Sequence, residues 1–64
     1  MMNAELSTMT QEQREALNGR EISHARIGKG TLDGIFPSQE GWVCIIQTPD
    51  ATHFEIPVEE CTLS

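Results

Sequence analysis

Arg20-Glu21-Ile22-Ser23-His24-Ala25-Arg26-Ile27-Gly28-Lys29-Gly30-Thr31-Leu32-Asp33-Gly34-Ile35-Phe36 is the stretch that decides the fold of this 64-residue chain. Arg20 to Ile27 reads as a strand with Ile22, Ala25 and Ile27 as its apolar members. Gly28-Lys29-Gly30 reads as a tight turn, because glycine admits positive φ without steric cost. Thr31 to Phe36 is the returning strand, with Leu32 and either Ile35 or Phe36 turned inward. Gly34 inside it marks a bulge or sharp bend. The unit is a hairpin, so the chain is read outward from it as a β protein.

Downstream, Pro37 to Gly41 is a loop. Trp42-Val43-Cys44-Ile45-Ile46-Gln47-Thr48 is the strongest strand, filled with β-branched and aromatic residues and free of charge. Pro49-Asp50-Ala51 is a further turn. Thr52 to Ile56 alternates polar and apolar, as a half-buried strand does, with Phe54 and Ile56 on one face. Pro57 ends it, Val58-Glu59-Glu60 suits one 3₁₀ turn, and Cys61-Thr62-Leu63 makes a last short strand. Upstream, Thr10 caps a short helix, with Gln13 three positions on completing a capping box. Asn18-Gly19 is its stop. Residues 1–9 are expected to be a flexible tail. The organisation is one domain over 10–64, with a helix at 10–18 and the β unit at 19–64. The expected fold class is mainly β: a five-stranded SH3-like barrel preceded by one short N-terminal helix.

Length and charge bound what such a chain does. Sixty-four residues allow one domain, and a chain this short buries only about 60% of its unfolded surface. A partner, a staple or self-association is the usual remedy. Ten acidic side chains face four basic ones, for a formal charge of −6. In residues 1–32 the charges cancel. Residues 33–64 carry Asp33, Glu40, Asp50, Glu55, Glu59 and Glu60 with no Lys or Arg. That balance argues against direct nucleic-acid binding, which needs clustered cations to displace counterions. It argues equally against a polybasic membrane anchor. No apolar run approaches the roughly 18–20 residues of a membrane span, and Met1 to Thr10 lacks the pattern of a signal peptide. The expected location is therefore cytoplasmic.

The chemistry-bearing residues have bland readings beside their sharp ones. Lys29 between two glycines lacks the spacing and the following helix of a phosphate loop. His24, His53, Cys44 and Cys61 could compose a zinc site, but none has a second ligand at the short spacing such sites use. Cys44 and Cys61 read as free buried thiols, a disulfide between them being the lesser reading. Cys44 in mid-strand is a poor nucleophile. No cofactor, metal or catalytic residue is expected. Trp42 serves either the core or a contact surface. With Phe36 and Phe54 it forms the expected partner-binding set, edged by Glu55, Glu59 and Glu60.

Gly19-Arg20-Glu21-Ile22-Ser23-His24, then Ile27-Gly28-Lys29-Gly30-Thr31-Leu32, resembles the opening of SH3-like, Tudor-type barrels. The likeness is to the small C-terminal domain of UvrD-like DNA helicases. Gly41 to Thr48 is similar to the third strand, and Phe54-Glu55-Ile56-Pro57 with Cys61-Thr62-Leu63 to the closing strands. The resemblance implies a protein-docking platform. A weaker likeness is to the plasmid-borne dihydrofolate reductase, whose short barrels assemble around one pore. Here Phe54-Glu55-Ile56-Pro57 stands where that family has Val-Gln-Ile-Tyr, and an acidic pore would repel its anionic ligands.

The functional expectation is a small non-catalytic interaction module, accessory or regulatory, with a protein partner. That partner is expected to carry a basic or mixed patch, as a nucleic-acid-handling enzyme would. Self-association into a homo-oligomer is open. The alternatives are a tiny oligomeric enzyme with its site on a symmetry axis, and an acidic inhibitor that mimics nucleic acid.

Overall fold

The computed structural model describes residues 1–63; the expected domain boundary at Ser64 lies outside the described residues. Two short helices, α1 (Asn3–Thr8) and α2 (Gln11–Glu15), precede five strands. The strands are β1 (Glu21–His24), β2 (Gly28–Ser38), β3 (Gly41–Gln47), β4 (His53–Pro57) and β5 (Cys61–Leu63). A 3₁₀ turn, η1 (Val58–Glu60), leads into β5 as the sequence predicts. All pairings are antiparallel and make one sheet in the order β4-β3-β2-β1-β5. β4 and β5 are its two outer strands, so the expected mainly-β class holds at the level of a five-stranded antiparallel sheet with short helices.

The first nine residues depart from the expected tail. Asn3–Thr8 is helical and Leu6 is 1% exposed within the hydrophobic core. A single leucine on a short polar segment is a weak periodic signal, which is why the sequence hides it. Its burial contributes roughly 1.5–3 kcal/mol. The expected single helix over 10–18 is shorter, Gln11–Glu15, but its start is as read. Thr10 Oγ1 accepts the Gln13 N–H at 3.1 Å, and Gln13 Oε1 accepts the Thr10 N–H at 2.9 Å. Gly19, at φ +91°, then turns the chain into β1.

The first hairpin is displaced from its expected turn. His24 pairs with Gly28 and Ile22 with Gly30, so the connection is Ala25-Arg26-Ile27 and both glycines lie in β2. Gly30 answers a close approach: a Cβ there would lie 2.6 Å from both the Gln47 carbonyl oxygen and Ile46 Cγ2. Gly28, at φ +92°, closes that connection with the positive φ expected of it, while Gly30 makes room for β3.

Gly34 follows a bulge, as expected. Leu32 opposes Ile46, Gly34 opposes Ile45, and Asp33 is the extra residue between them. The extra residue reverses which face the rest of β2 presents. Leu32 points into the core with Ile46, Ile35 then follows with Cys44, and Phe36 emerges on the other side opposite Val43. The core itself is Leu6, Ile22, Leu32, Cys44, Ile46, Ile56, Val58 and Cys61.

Candidate functional site

β3 sorts its side chains by alternation. Cys44 and Ile46 are fully buried, and Val43, Ile45 and Gln47 face away from the core. Register then fixes who stands beside them. Val43 lies between Phe36 on β2 and Pro57 on β4, and Ile45 lies between Gly34 and Glu55. Phe36 is 53% exposed and its ring covers Gly34, where an added Cβ would meet ring carbon Cε2 at 2.7 Å. Pro57 and Glu55 are exposed, while Val43 and Ile45 are half-buried. The result is an apolar row, Phe36–Val43–Pro57, next to Ile45 and the Glu55 carboxylate on the outer face of the sheet. At its Phe36 end the row is flanked by α2, across a cleft lined by Gln11, Arg14, Gly34 and Phe36. Exposed contiguous apolar surface of this kind marks interaction sites in soluble proteins.

Two of the six expected contact residues, Phe36 and Glu55, therefore belong to this face. Trp42 does not. Its backbone N–H donates to Asn3 Oδ1 at 2.7 Å and its indole Nε1–H donates to Ser7 Oγ at 3.2 Å. The Arg14 guanidinium stacks 4.4 Å from its ring centroid, and one guanidinium nitrogen donates to the Leu6 and Met9 carbonyls. Trp42 is thus the post to which both helices are tied. It still borders, with Phe36, Pro37 and Arg14, a cleft of about 380 Å³ between α2 and β2.

Phe54 also stands elsewhere. It opposes Ile46, so it extends the core face at the open margin of the sheet, 39% exposed, beside Ile27 and Pro49. Glu59 and Glu60 lie on η1 and are engaged with their own chain. Glu59 Oε2 accepts the Asn3 N–H at 3.4 Å. Glu60 Oε1 lies 3.0 Å from His24 Nε2 and 3.9 Å from Arg26. His24 Nδ1 accepts the backbone N–H groups of Arg26 and Ile27 at 3.1 and 3.3 Å. The ring proton is therefore on Nε2, which donates to Glu60. This buried histidine is a fully bonded structural group that sets the β1–β2 connection.

The four residues considered for zinc do not gather. His24 goes to Glu60, His53 lies 3.5 Å from Asp33, and the two sulfurs meet each other at 3.2 Å. Among the described residues no group of three or more His, Cys, Asp or Glu side chains comes together. Burial, then the neighbouring Cys61 thiol, pushes the Cys44 thiol up to about 12, and burial also raises Cys61. Both sulfurs stay protonated and unreactive in the closed fold. Asp50 is held below its usual value by the Thr48 hydroxyl and by Thr52.

Val43, Ile45 and Pro57 are the surface residues that the sequence reading missed. A signal was present: the unbroken apolar run Trp42 to Ile46 is what a strand covered on both faces looks like. One sheet with a single core covers only one of them. Comparison with protein-family models, with curated proteins and with solved structures found no match.

Proposed function

We propose that this protein is a small non-catalytic interaction module that docks a protein partner on the outer face of β2, β3 and β4. The contact would centre on Phe36, Val43, Ile45 and Pro57, with Glu55 at its edge. The observation that carries the reading is the row of exposed Phe36 and Pro57 around half-buried Val43 and Ile45, on a strand whose composition suits cover on both sides. The partner's matching surface is apolar at its centre and carries Lys or Arg around it. Charge supports that choice over a second copy, since the Glu55 carboxylate stands beside the row and two such edges brought together repel. The strand order is also the one that an SH3-like barrel would show if the ends of the sheet curl together, which is the docking architecture the sequence resembles.

The test compares wild type with an Ile45→Ser, Phe36→Ser double variant. Each is immobilised and used to capture proteins from a cell lysate at low salt, and native mass is recorded for both. Support is a basic protein held by wild type, lost by the variant, and released as salt rises toward 0.5 M. Equal capture by both forms would sink the reading. A wild-type dimer that the variant abolishes would assign the face to a second copy instead.

A further inference from the structure

The sulfurs of Cys44 and Cys61 lie 3.2 Å apart, and both cysteines are free. Cys44 is 0% and Cys61 3% exposed. They do not meet along a strand ladder. Cys44 is in the middle of β3 and Cys61 opens β5, with β2 and β1 standing between those strands in the sheet. The contact therefore spans the core, from an inner strand to an edge strand. A covalent bond there would tie the closing segment of the chain, η1 and β5, directly to β3.

Two further features bear on how such a bond could form. β5 is three residues long; its strand partner is β1, through Ile22–Leu63, Ser23–Thr62 and His24–Cys61, and the Met1 ammonium donates to the Cys61 carbonyl. A short edge strand opens more readily than a central one, so Cys61 can reach solvent while Cys44 stays in the sheet. Closing the pair needs only about 1 Å of approach, from the present contact to a bond of about 2.05 Å. That is within the reach of side-chain rotation.

We propose that Cys44 and Cys61 are a reversible dithiol–disulfide pair, oxidised by low-molecular-weight disulfides of the glutathione class, which fastens η1 and β5 onto β3. When β5 lifts, the Cys61 thiol gives up its proton and its thiolate attacks one sulfur of the small disulfide. That S–S bond breaks, a mixed disulfide forms on Cys61, and one small thiol leaves and takes up a proton. While the site is open to water, Cys44 gives its proton to solvent, attacks the Cys61 sulfur and expels the second small thiolate, which takes up a proton. Two protein thiols are oxidised and one small disulfide is reduced to two thiols, with no other reactant. The closed fold shields both sulfurs, so the rate is set by opening of β5. The pair works independently of the docking face.

The full chain is incubated with oxidised glutathione, quenched with N-ethylmaleimide in denaturant, and weighed. The expected product is a monomer that has lost two hydrogens and takes no label, reverts with dithiothreitol, and melts about 10 °C or more above the reduced form. In Cys44→Ala, glutathione should accumulate on Cys61 faster than it accumulates on Cys44 in Cys61→Ala. If those variants do not fold, the wild-type mass and melting temperature decide alone. Two labelled thiols after equilibration, mixed or intermolecular disulfides only, or a cross-linked form that melts lower would each overturn the proposal.

Discussion

Asn3 Oδ1 accepts the backbone N–H of Trp42 at 2.7 Å, fastening the first helix to the first residues of β3. The bond satisfies a partly buried donor that β2 does not reach. Three residues on, Leu6 enters the core at 1% exposure. The two contacts make α1 part of the fold, and their removal has different costs. Asn3→Ala leaves the Trp42 N–H without its partner and should cost about 1 kcal/mol. Leu6→Ala should cost about 2–5 kcal/mol. A 64-residue domain has only about 3–10 kcal/mol to lose. Leu6→Ala, and deletion of residues 1–9, should therefore remove a large fraction of that stability and shift the urea midpoint, followed by Trp42 fluorescence, well downward at 25 °C. A truncated chain as stable as the full one would show that the helix contributes nothing.

Ala51 adopts φ +67° in the turn between β3 and β4. That left-handed conformation crowds a Cβ against its own backbone. Ala51→Gly removes the crowding while adding some unfolded-state entropy, so the net gain should be about 0.5–1 kcal/mol. Pro49-Asp50-Ala51 is legible as a turn in the sequence, yet which residue takes the strained geometry is not. Asp50 decides it. Its carboxylate accepts from the Thr48 hydroxyl and from the Thr52 N–H at 3.3 Å, closing the turn around Ala51. An unchanged denaturation midpoint in Ala51→Gly would mean the strain is absent in solution.

Those same bonds make Asp50 a reporter at acid pH. Its carboxyl is held below the usual 3.8 by the Thr48 hydroxyl first and Thr52 second. Below that value the unfolded chain binds the proton more readily than the folded one. Stability from this group is thus complete above about pH 4 and lost as pH falls through the folded value. Asp50→Asn removes the titration. Between pH 5 and 2 its urea midpoint should fall less than that of wild type, the difference growing as pH drops.

At the alkaline end the sign reverses. Burial raises Cys44 from 9.0 to about 12 and raises Cys61 as well. From pH 9 upward the unfolded chain loses thiol protons that the folded chain keeps, so stability is full below pH 9 and declines from there to about 12. The chain has no tyrosine and one lysine, which leaves few other groups to titrate in this window. The reduced protein should accordingly show a falling urea midpoint between pH 9 and 11. Cys44→Ala, compared with its own value at pH 7, should show a shallower decline. Parallel curves for the two would contradict the buried-thiol account.

The parts of the fold legible in the sequence are those where one residue type has one structural use. Thr10 with Gln13 makes a capping box, Gly34 marks a bulge, and Val58-Glu59-Glu60 makes a 3₁₀ turn, all as read. The misreadings arise where a residue's role is set by something distant along the chain. Gly30 looks like a turn residue and is there because β3 passes close by. Trp42 reads as either core or contact residue and is held by Asn3 and Ser7, from a segment that reads as a tail, and by Arg14 from α2. Phe36 and Phe54 look alike, but the extra residue Asp33 sends Phe36 to the outer face while register keeps Phe54 on the core side.

That separation makes the proposed docking face testable without disturbing the core. Ile45 and Glu55 are cross-strand partners on β3 and β4, and they should fail in different ways. Ile45→Ser removes apolar area beside the row, so it should weaken partner binding by about 1–3 kcal/mol at every salt concentration. Glu55→Gln leaves the shape intact and removes one edge charge. It should cost less than about 1 kcal/mol, act mainly on the association rate, and flatten the dependence of affinity on salt. Phe54→Ser, on the opposite side of the sheet, should leave binding unchanged in the same titrations once its folding is verified. Loss of binding in Phe54→Ser with retention in Ile45→Ser would place the contact on the core-side margin and refute the outer face.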